Sequence, residues 1–390
     1  MRDIRPFPGF HNEIGEAGLK ASTPKSAPYN LEIAKMDLKG GWDLDKYKNV
    51  PILYQTYRAF PDKHWYVFID ADSYIFWGNL LRHLNQKYNW KDALYLGSET
   101  MLGNEIFAHG GTGYVISYAA AKKAVIDHPE MEHNYEDYAT RDCCGDYVVS
   151  RVMNDIGVKL TYERGRFQGE PWYGLRWDKG TWCSKILTFH HVGQGDIQEL
   201  WEFERTMQQV LEKHPRNDGY IIYGDLYHRF VKPFLTSKED SWDNLSNDRW
   251  FEMPGYPNGF SNERFPTKED IAGFSDSGDR DRWTNYYNWN DEERESVRSS
   301  DYKACQKVCN SDGGCLQWKW VKGKCVTNHS VIFGSRDKNK KASEAWVSGW
   351  ILNRVDEVRK EQSCESKLEG GFPAEEKRKK EAEKDKQDTR

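Results

Sequence analysis

A chain of 390 residues with a net charge of −5 is long enough to bury a large core and to hold more than one domain, and it carries no global positive field to draw it to nucleic acid. Aromatic residues make up 14 %, with 16 tryptophans, whose faces suit sugar rings as well as cores. No apolar run reaches the length of a membrane-spanning helix, and Arg2, Asp3 and Arg5 interrupt the start, where a signal segment would stand.

Residues 1–40 are rich in Pro, Gly and Ser and read as loop, with a helix near Leu31–Leu38. From Trp42 to Phe60 the apolar positions fall mostly at three- and four-residue steps, which predicts an amphipathic helix interrupted by Pro51. Trp65 to Trp77 is the next stretch and the most informative one. Five apolar or aromatic residues, Trp65–Ile69, end abruptly in Asp70-Ala71-Asp72, the pattern of a buried central strand. Ligands of open α/β sheets collect at the carboxyl ends of strands. Acids at i and i+2 lie on one side of an extended chain, where their oxygens can hold Mn2+ or Mg2+ bridging to phosphate. Asp-x-Asp is short enough to arise by chance, so its weight comes from the motifs after it.

Leu80–Tyr88 reads as helix and Leu94–Ser98 as a short strand. Gly110, Gly111 and Gly113 then place three glycines in four positions, either to let a substrate approach the backbone or to form an ordinary turn before a helix at Ala119–Ile126. Asp146 stands at the start of a strongly apolar-faced helix, Tyr147–Ile156, where an acid serves as a cap or as a base. Adjacent Cys143 and Cys144 are not expected to pair with each other, and a bridge from one of them to Cys183 is predicted instead. Trp172, Tyr173 and Trp177 form an aromatic stretch with two readings, a sugar platform and core packing. Ile186–Val192 reads as a strand ending in His190 and His191, each a metal ligand or a core residue, and Leu200–Leu211 as a helix.

Residues 237–297, rich in Asp, Asn, Gly, Pro and Ser, read as a linker or extended wrap. Cys305, Cys309, Cys315 and Cys325 then mark a small disulfide-stapled module over 298–356, with strands at Leu316–Trp320 and Trp346–Ile351. Their spacing lacks the paired knuckles of a zinc site. Asn244-Leu245-Ser246 and Asn328-His329-Ser330 are glycosylation sequons, which with the cysteines favour the secretory pathway. Residues 357–390 form a charged tail.

Four motifs in order carry a resemblance. Trp-Tyr-Val-Phe-Ile-Asp-Ala-Asp (65–72), Ala-His-Gly-Gly-Thr-Gly-Tyr-Val-Ile-Ser (108–117), Cys-Cys-Gly-Asp-Tyr-Val (143–148) and Phe-His-His-Val (189–192) resemble the Fringe and core-1 β1,3-galactosyltransferase family, glycosyltransferase family 31, especially its fungal members. The likeness extends over residues 40–212, including Trp42-Asp43-Leu44-Asp45-Lys46. It implies an α/β fold of the GT-A, Rossmann-like type over residues 1–236, with the family's first strand not evident in residues 1–40. It also implies a UDP-sugar donor, a divalent metal (Mn2+ or Mg2+), and inversion at the anomeric carbon.

By the same resemblance Asp72 is the direct metal ligand beside Asp70, and His190 is a further ligand with His191 as the alternative. Gly110, Gly111 and Gly113 line the nucleotide-sugar site. Asp146 is the catalytic base, although Gly145 stands where the family usually carries an acid. The implied activity is transfer of galactose in β1,3 linkage to a glycan or glycoprotein acceptor. The implied place is the Golgi lumen, with a membrane anchor that this sequence does not contain. A transferase-like binding protein that no longer turns over is the alternative. The cysteine module resembles PAN/apple-like α+β domains, which bind protein or carbohydrate. Of its three connectivities, Cys309–Cys315 nested inside Cys305–Cys325 is the expected one.

Overall fold

The computed structural model describes residues 46–163, 165–178, 180–213, 218–253, 271–272, 277–337, 341 and 344–362. The expected loop and helix of residues 1–40, the question of a first strand there, and the charged tail beyond 362 lie outside them. The chain divides into two compact units, one of residues 1–171 with 185–213, the other of residues 172–184 with 214–390.

In the first unit the helices are α1 (Asn49–Ala59), α2 (Trp77–Lys87), α3 (Tyr118–Lys122), α4 (Met131–Arg141), α5 (Gly145–Asp155) and α6 (Gln194–Lys213). The strands are β1 (Trp65–Phe68), β2 (Tyr74–Ile75), β3 (Tyr95–Gly97), β4 (Glu99–Leu102), β5 (Glu105–Ala108), β6 (Tyr114–Ser117), β7 (Leu160–Tyr162) and β8 (Thr188–Phe189). Four of them form a sheet in the order β1-β6-β3-β7, antiparallel except for the parallel pair β3–β7. Side chains alternate across it with the period of two that a strand requires. Tyr66, Tyr95, Tyr114 and Ile116 enter a core with Val50, Leu53 and Tyr54 of α1 and Val148, Val149 and Val152 of α5. Val67, Leu96 and Val115 face the other way, onto Leu80 and Leu84 of α2 with Phe167 and Leu187. Helices therefore cover both faces of a mixed sheet, which fits the Rossmann-like expectation.

Two expectations need correction here. Pro51 does not interrupt α1. It lies in the first turn, where an N–H has no intrahelical partner, and the first bond, from Ile52 N–H to Lys48 C=O at 2.9 Å, comes one residue later. The Trp65 strand is not central among the described residues. It pairs only with β6, its residues are mostly half-buried, and Ile69 is exposed. An apolar run marks a strand but does not tell two buried faces from one face and a covered edge.

In the second unit, strands β9 (Glu239–Asp240), β10 (Trp242–Asp243), β11 (Arg249–Glu252), β12 (Gln317–Val321), β13 (Lys324–Asn328), β14 (Ser335–Arg336) and β15 (Val347–Trp350) accompany helices α7 (Ser277–Asn288), α8 (Asp291–Arg298), α9 (Lys303–Ser311) and α10 (Leu352–Glu361). The main sheet is antiparallel in the order β11-β13-β12-β15-β9. Both outer strands, β9 and β11, come from residues 237–297, so that stretch is not a linker. Phe251, Ile271, Tyr286 and Val297 from it enter a core with Val308 and Trp318. Its average polarity concealed a few well-spaced apolar side chains, and these suffice to seat it.

Cys305–Cys325 and Cys309–Cys315 are bonded in the nested arrangement, tying α9 to the sheet, and all four cysteines are fully buried. Cys143 and Cys144, however, are bonded to each other, across a Cα separation of 3.8 Å, the ordinary spacing of a trans peptide. The expected bridge to Cys183 is therefore absent, although Cys183 is itself disulfide-bonded. The 4.4–6.8 Å range usual for disulfides describes residues distant in sequence; a neighbouring pair closes its own small ring instead.

Both sequon asparagines are also buried. Asn244 donates its amide to the Trp318 carbonyl (3.0 Å), and Asn328 donates to Ser330 Oγ (2.8 Å). In the folded chain these amides serve the core and are not open to glycosylation. Among the described residues no helix is long and apolar enough to cross a membrane.

Candidate functional site

The site lies wholly within the first unit and is set by a pairing that joins residues over a hundred positions apart. β2, just after Asp70-Ala71-Asp72, runs antiparallel to β8, with Tyr74 opposite Phe189 and Ile75 opposite Thr188. The ladder carries on past the strands, where Val192 N–H donates to the Asp72 carbonyl at 2.7 Å. This register brings Asp72 to the two histidines just beyond β8. From α6, Glu204 anchors β2 by accepting the Tyr74 hydroxyl at 2.8 Å, and burial pushes its carboxyl above the ordinary range.

Asp72, His190 and His191 each offer a ligand atom, and these atoms all lie within 4.8 Å of one another. Asp72 Oδ1 is 3.5 Å from His190 Nε2. His191 adopts a left-handed conformation (φ 56°), and its ring stacks on that of His190 at 3.9 Å between centroids. Burial lowers the pKa of His190, with His191 and His109 acting in the same direction and the Asp72 charge opposing them. A neutral imidazole is the form that ligates metal. The group joins a hard carboxylate oxygen to imidazole nitrogens that tolerate many divalent ions, a donor set that fits Mn2+. Both histidines stand in it, whereas sequence reasoning kept His191 only as the alternative to His190. Asp70 is exposed and stands outside this group.

The glycine turn lies against the same cluster. Gly113 has φ +82°, a conformation glycine takes readily, and its N–H closes the turn on the Gly110 carbonyl at 2.8 Å. At Gly111 the reason for glycine is space, since a Cβ there would lie 2.3 Å from the His190 ring. Hydroxyls from the residue before β2 and from β8 hold the turn. Ser73 donates to the Gly111 carbonyl (2.7 Å) and Thr188 to the Thr112 carbonyl (2.6 Å).

Asp146 is the second residue of α5. Its Oδ1 accepts the Tyr147 N–H of its own helix (2.8 Å) and its Oδ2 accepts the Gly110 N–H (2.7 Å). It therefore serves the helix end and the glycine turn at once, and a carboxylate with two oxygens retains acceptor capacity beyond these bonds. Two successive glycines thus join two chemical groups, Gly110 to Asp146 and Gly111 to His190.

Trp172, Tyr173 and Trp177 belong to the second unit, where Trp172 stacks on Phe230 and Phe333 and Trp177 is fully buried. Sequence reasoning passed over Ser73, Thr188 and His109. Their signal is weak, since a hydroxyl or imidazole beside a recognised motif has many ordinary roles.

A family model described as Fringe-like matches residues 43–164, a span that contains Asp70, Asp72, the glycine turn and Asp146 and ends before His190. No curated protein matches the chain. The match makes residues 43–164 of the first unit similar to Fringe-like domains and, with the mixed α/β fold, suggests a glycosyltransferase.

Proposed function

We propose that the first unit is a metal-dependent inverting glycosyltransferase, of GT-A type, that moves galactose in β1,3 linkage from a UDP-sugar to a glycan or glycoprotein acceptor in the Golgi lumen. The observation that carries this reading is the glycine turn, which holds a candidate base on one residue and packs against a candidate metal ligand on the next. Asp72, His190 and His191 would hold Mn2+, and the ion when bound offsets the negative charge that grows on a departing diphosphate.

The other steps belong to the chain. An acceptor hydroxyl is a weak nucleophile, and Asp146 takes its proton as the oxygen attacks the anomeric carbon. The bond from that carbon to the diphosphate oxygen breaks as the new glycosidic bond forms on the opposite face, and UDP leaves. The N–H donors of Gly110 and Tyr147 keep the Asp146 carboxylate oriented through the transfer. Hydrogen bonds from Ser73 and Thr188 keep the turn rigid, which preserves the relative placement of base and ligand.

The test is UDP release from a panel of UDP-sugars with Mn2+, for the full chain beside Asp72→Ala and Asp146→Asn. Release that needs Mn2+, favours UDP-galactose and is lost in both variants is the expected result. A folded wild-type chain that binds UDP with Mn2+ but releases nothing with any donor and acceptor would make it a binding protein instead.

A further inference from the structure

The glycine turn carries a third polar side chain for which neither the metal nor the base has a use. His109 is half-buried, directly before Gly110. Its Nδ1 accepts the Thr112 N–H at 3.2 Å, and Thr112 Oγ1 donates back to the His109 backbone carbonyl at 2.8 Å, so Thr112 ties both the ring and the backbone of His109 into the turn. A ring nitrogen that accepts a hydrogen bond carries no proton, so in the neutral imidazole the proton sits on Nε2. That Nε2 donates to no described residue. The ring meets the His190 ring edge to face, at 5.4 Å between centroids, while the next residue along gives its N–H to Asp146.

His109 is therefore flanked by a candidate metal ligand in space and by the partner of the candidate base in sequence. In an inverting displacement the attacking oxygen, the anomeric carbon and the leaving phosphate oxygen lie in a line. The transferred sugar would then occupy the space between the base and the diphosphate that the metal would hold. We propose that His109 contacts the donor sugar, its Nε2–H donating to one hydroxyl of the transferred hexose and so selecting among donors. This rests on the glycosyltransferase reading above. The lock by Thr112 gives the donor a fixed direction without a large entropic cost on binding. Discrimination by a positioned donor exceeds what an apolar wall achieves, because a sugar lacking the hydroxyl leaves the group unpaired.

His109→Asn keeps an oxygen for the Thr112 N–H and removes the Nε2 donor, and His109→Phe removes both. The full chain and both variants are to be compared by calorimetry with UDP and Mn2+, and by kcat/KM with the preferred UDP-hexose and its singly deoxygenated analogues. His109→Asn is expected to hold UDP–Mn2+ affinity within about twofold and to lose roughly 10- to 100-fold in kcat/KM, the scale of one well-placed hydrogen bond. One deoxy analogue should be penalised by the wild-type chain and not by the variant. Wild-type kcat/KM in His109→Asn, or an unchanged pattern of deoxy penalties, would overturn the proposal and leave the transferase reading standing. Parallel loss of UDP–Mn2+ binding and thermal stability in both variants would assign His109 to the turn's structure alone and overturn it as well. A wild-type chain that binds neither UDP nor any UDP-hexose would sink both readings together.

Discussion

Two acids come after two strands of the same sheet, and their surroundings differ in every respect that matters for chemistry. Glu163 stands directly after β7 and is buried. Its carboxylate takes hydrogen bonds from Lys87 (2.7 Å), Arg166 (3.1 Å) and the Tyr88 hydroxyl, and pairs with His83 at 2.9 Å. Burial alone would raise its pKa, but the bonds from His83, Lys87 and Tyr88 outweigh it and hold the group at about 2. Asp72 comes four residues after β1, keeps half of its side chain exposed, and faces two imidazoles instead of a lysine or arginine. A buried acid surrounded by cations is already neutralised and has little to offer a ligand. A half-exposed acid beside imidazoles still has coordination to give.

Replacing each acid gives the sharpest test of this contrast. In Asp72→Ala the Mn2+-dependent release of UDP should fall about 1,000-fold or more, since the bound ion is worth several kcal/mol to the departing charge. Its melting temperature should move by no more than about 2 °C, as expected for an exposed side chain. In Glu163→Gln the pattern should reverse. Breaking a buried paired charge costs about 3 kcal/mol, or roughly 6–12 °C in Tm for a unit of this size, while activity per folded molecule at 25 °C stays within about twofold. Equal loss of activity in the two variants would dissolve the distinction between them.

The pH dependence adds a sign. Glu163 is depressed from 4.5 to about 2 in the folded chain, so its stabilisation is complete above pH 4.5 and is lost as the pH falls toward 2. The melting curves of wild type and Glu163→Gln should therefore converge over that window and stay apart above it. A constant gap from pH 7 to pH 2 would show that Glu163 does not carry the effect.

Within the site, the two glycines should separate ligand from base. Gly111→Ala puts a Cβ against the His190 ring and should weaken Mn2+ binding about tenfold, read by titration calorimetry. Gly110→Ala meets the Asp146 side chain at 3.1 Å and should lower kcat while leaving Mn2+ affinity within about twofold. The smallest effect concerns the cysteines. Cys143 is exposed and Cys144 half-buried, while Cys305, Cys309, Cys315 and Cys325 are fully buried. A mild thiol reductant and then alkylation and mass spectrometry should label Cys143 and Cys144 before those four, because exchange requires access to sulfur.

Much of the site was legible in the sequence because its parts are local. A strand ending in acids, glycines clustered in a turn and an acid opening a helix all arise from preferences of neighbouring residues. The order of those motifs, more than any one of them, pointed to the class. The nested cysteines were legible for the same reason, lying within one short segment. Other features are not local. Asp72 meets His190 and His191 only because β2 pairs with β8, and no pattern near either strand records that pairing. The place of β1 at the edge of the sheet among the described residues, the strands supplied by residues 237–297 and the burial of Asn244 and Asn328 likewise depend on what packs against them. The Cys143–Cys144 bond shows the opposite limit, where a rule drawn from distant pairs misjudged a local one. By itself, then, the sequence determined which backbone shapes and chemical groups this protein has, since these come from short-range sterics and side-chain chemistry. Only the tertiary structure decided which groups meet, because long-range pairing depends on the burial of whole faces and leaves little trace at any single residue.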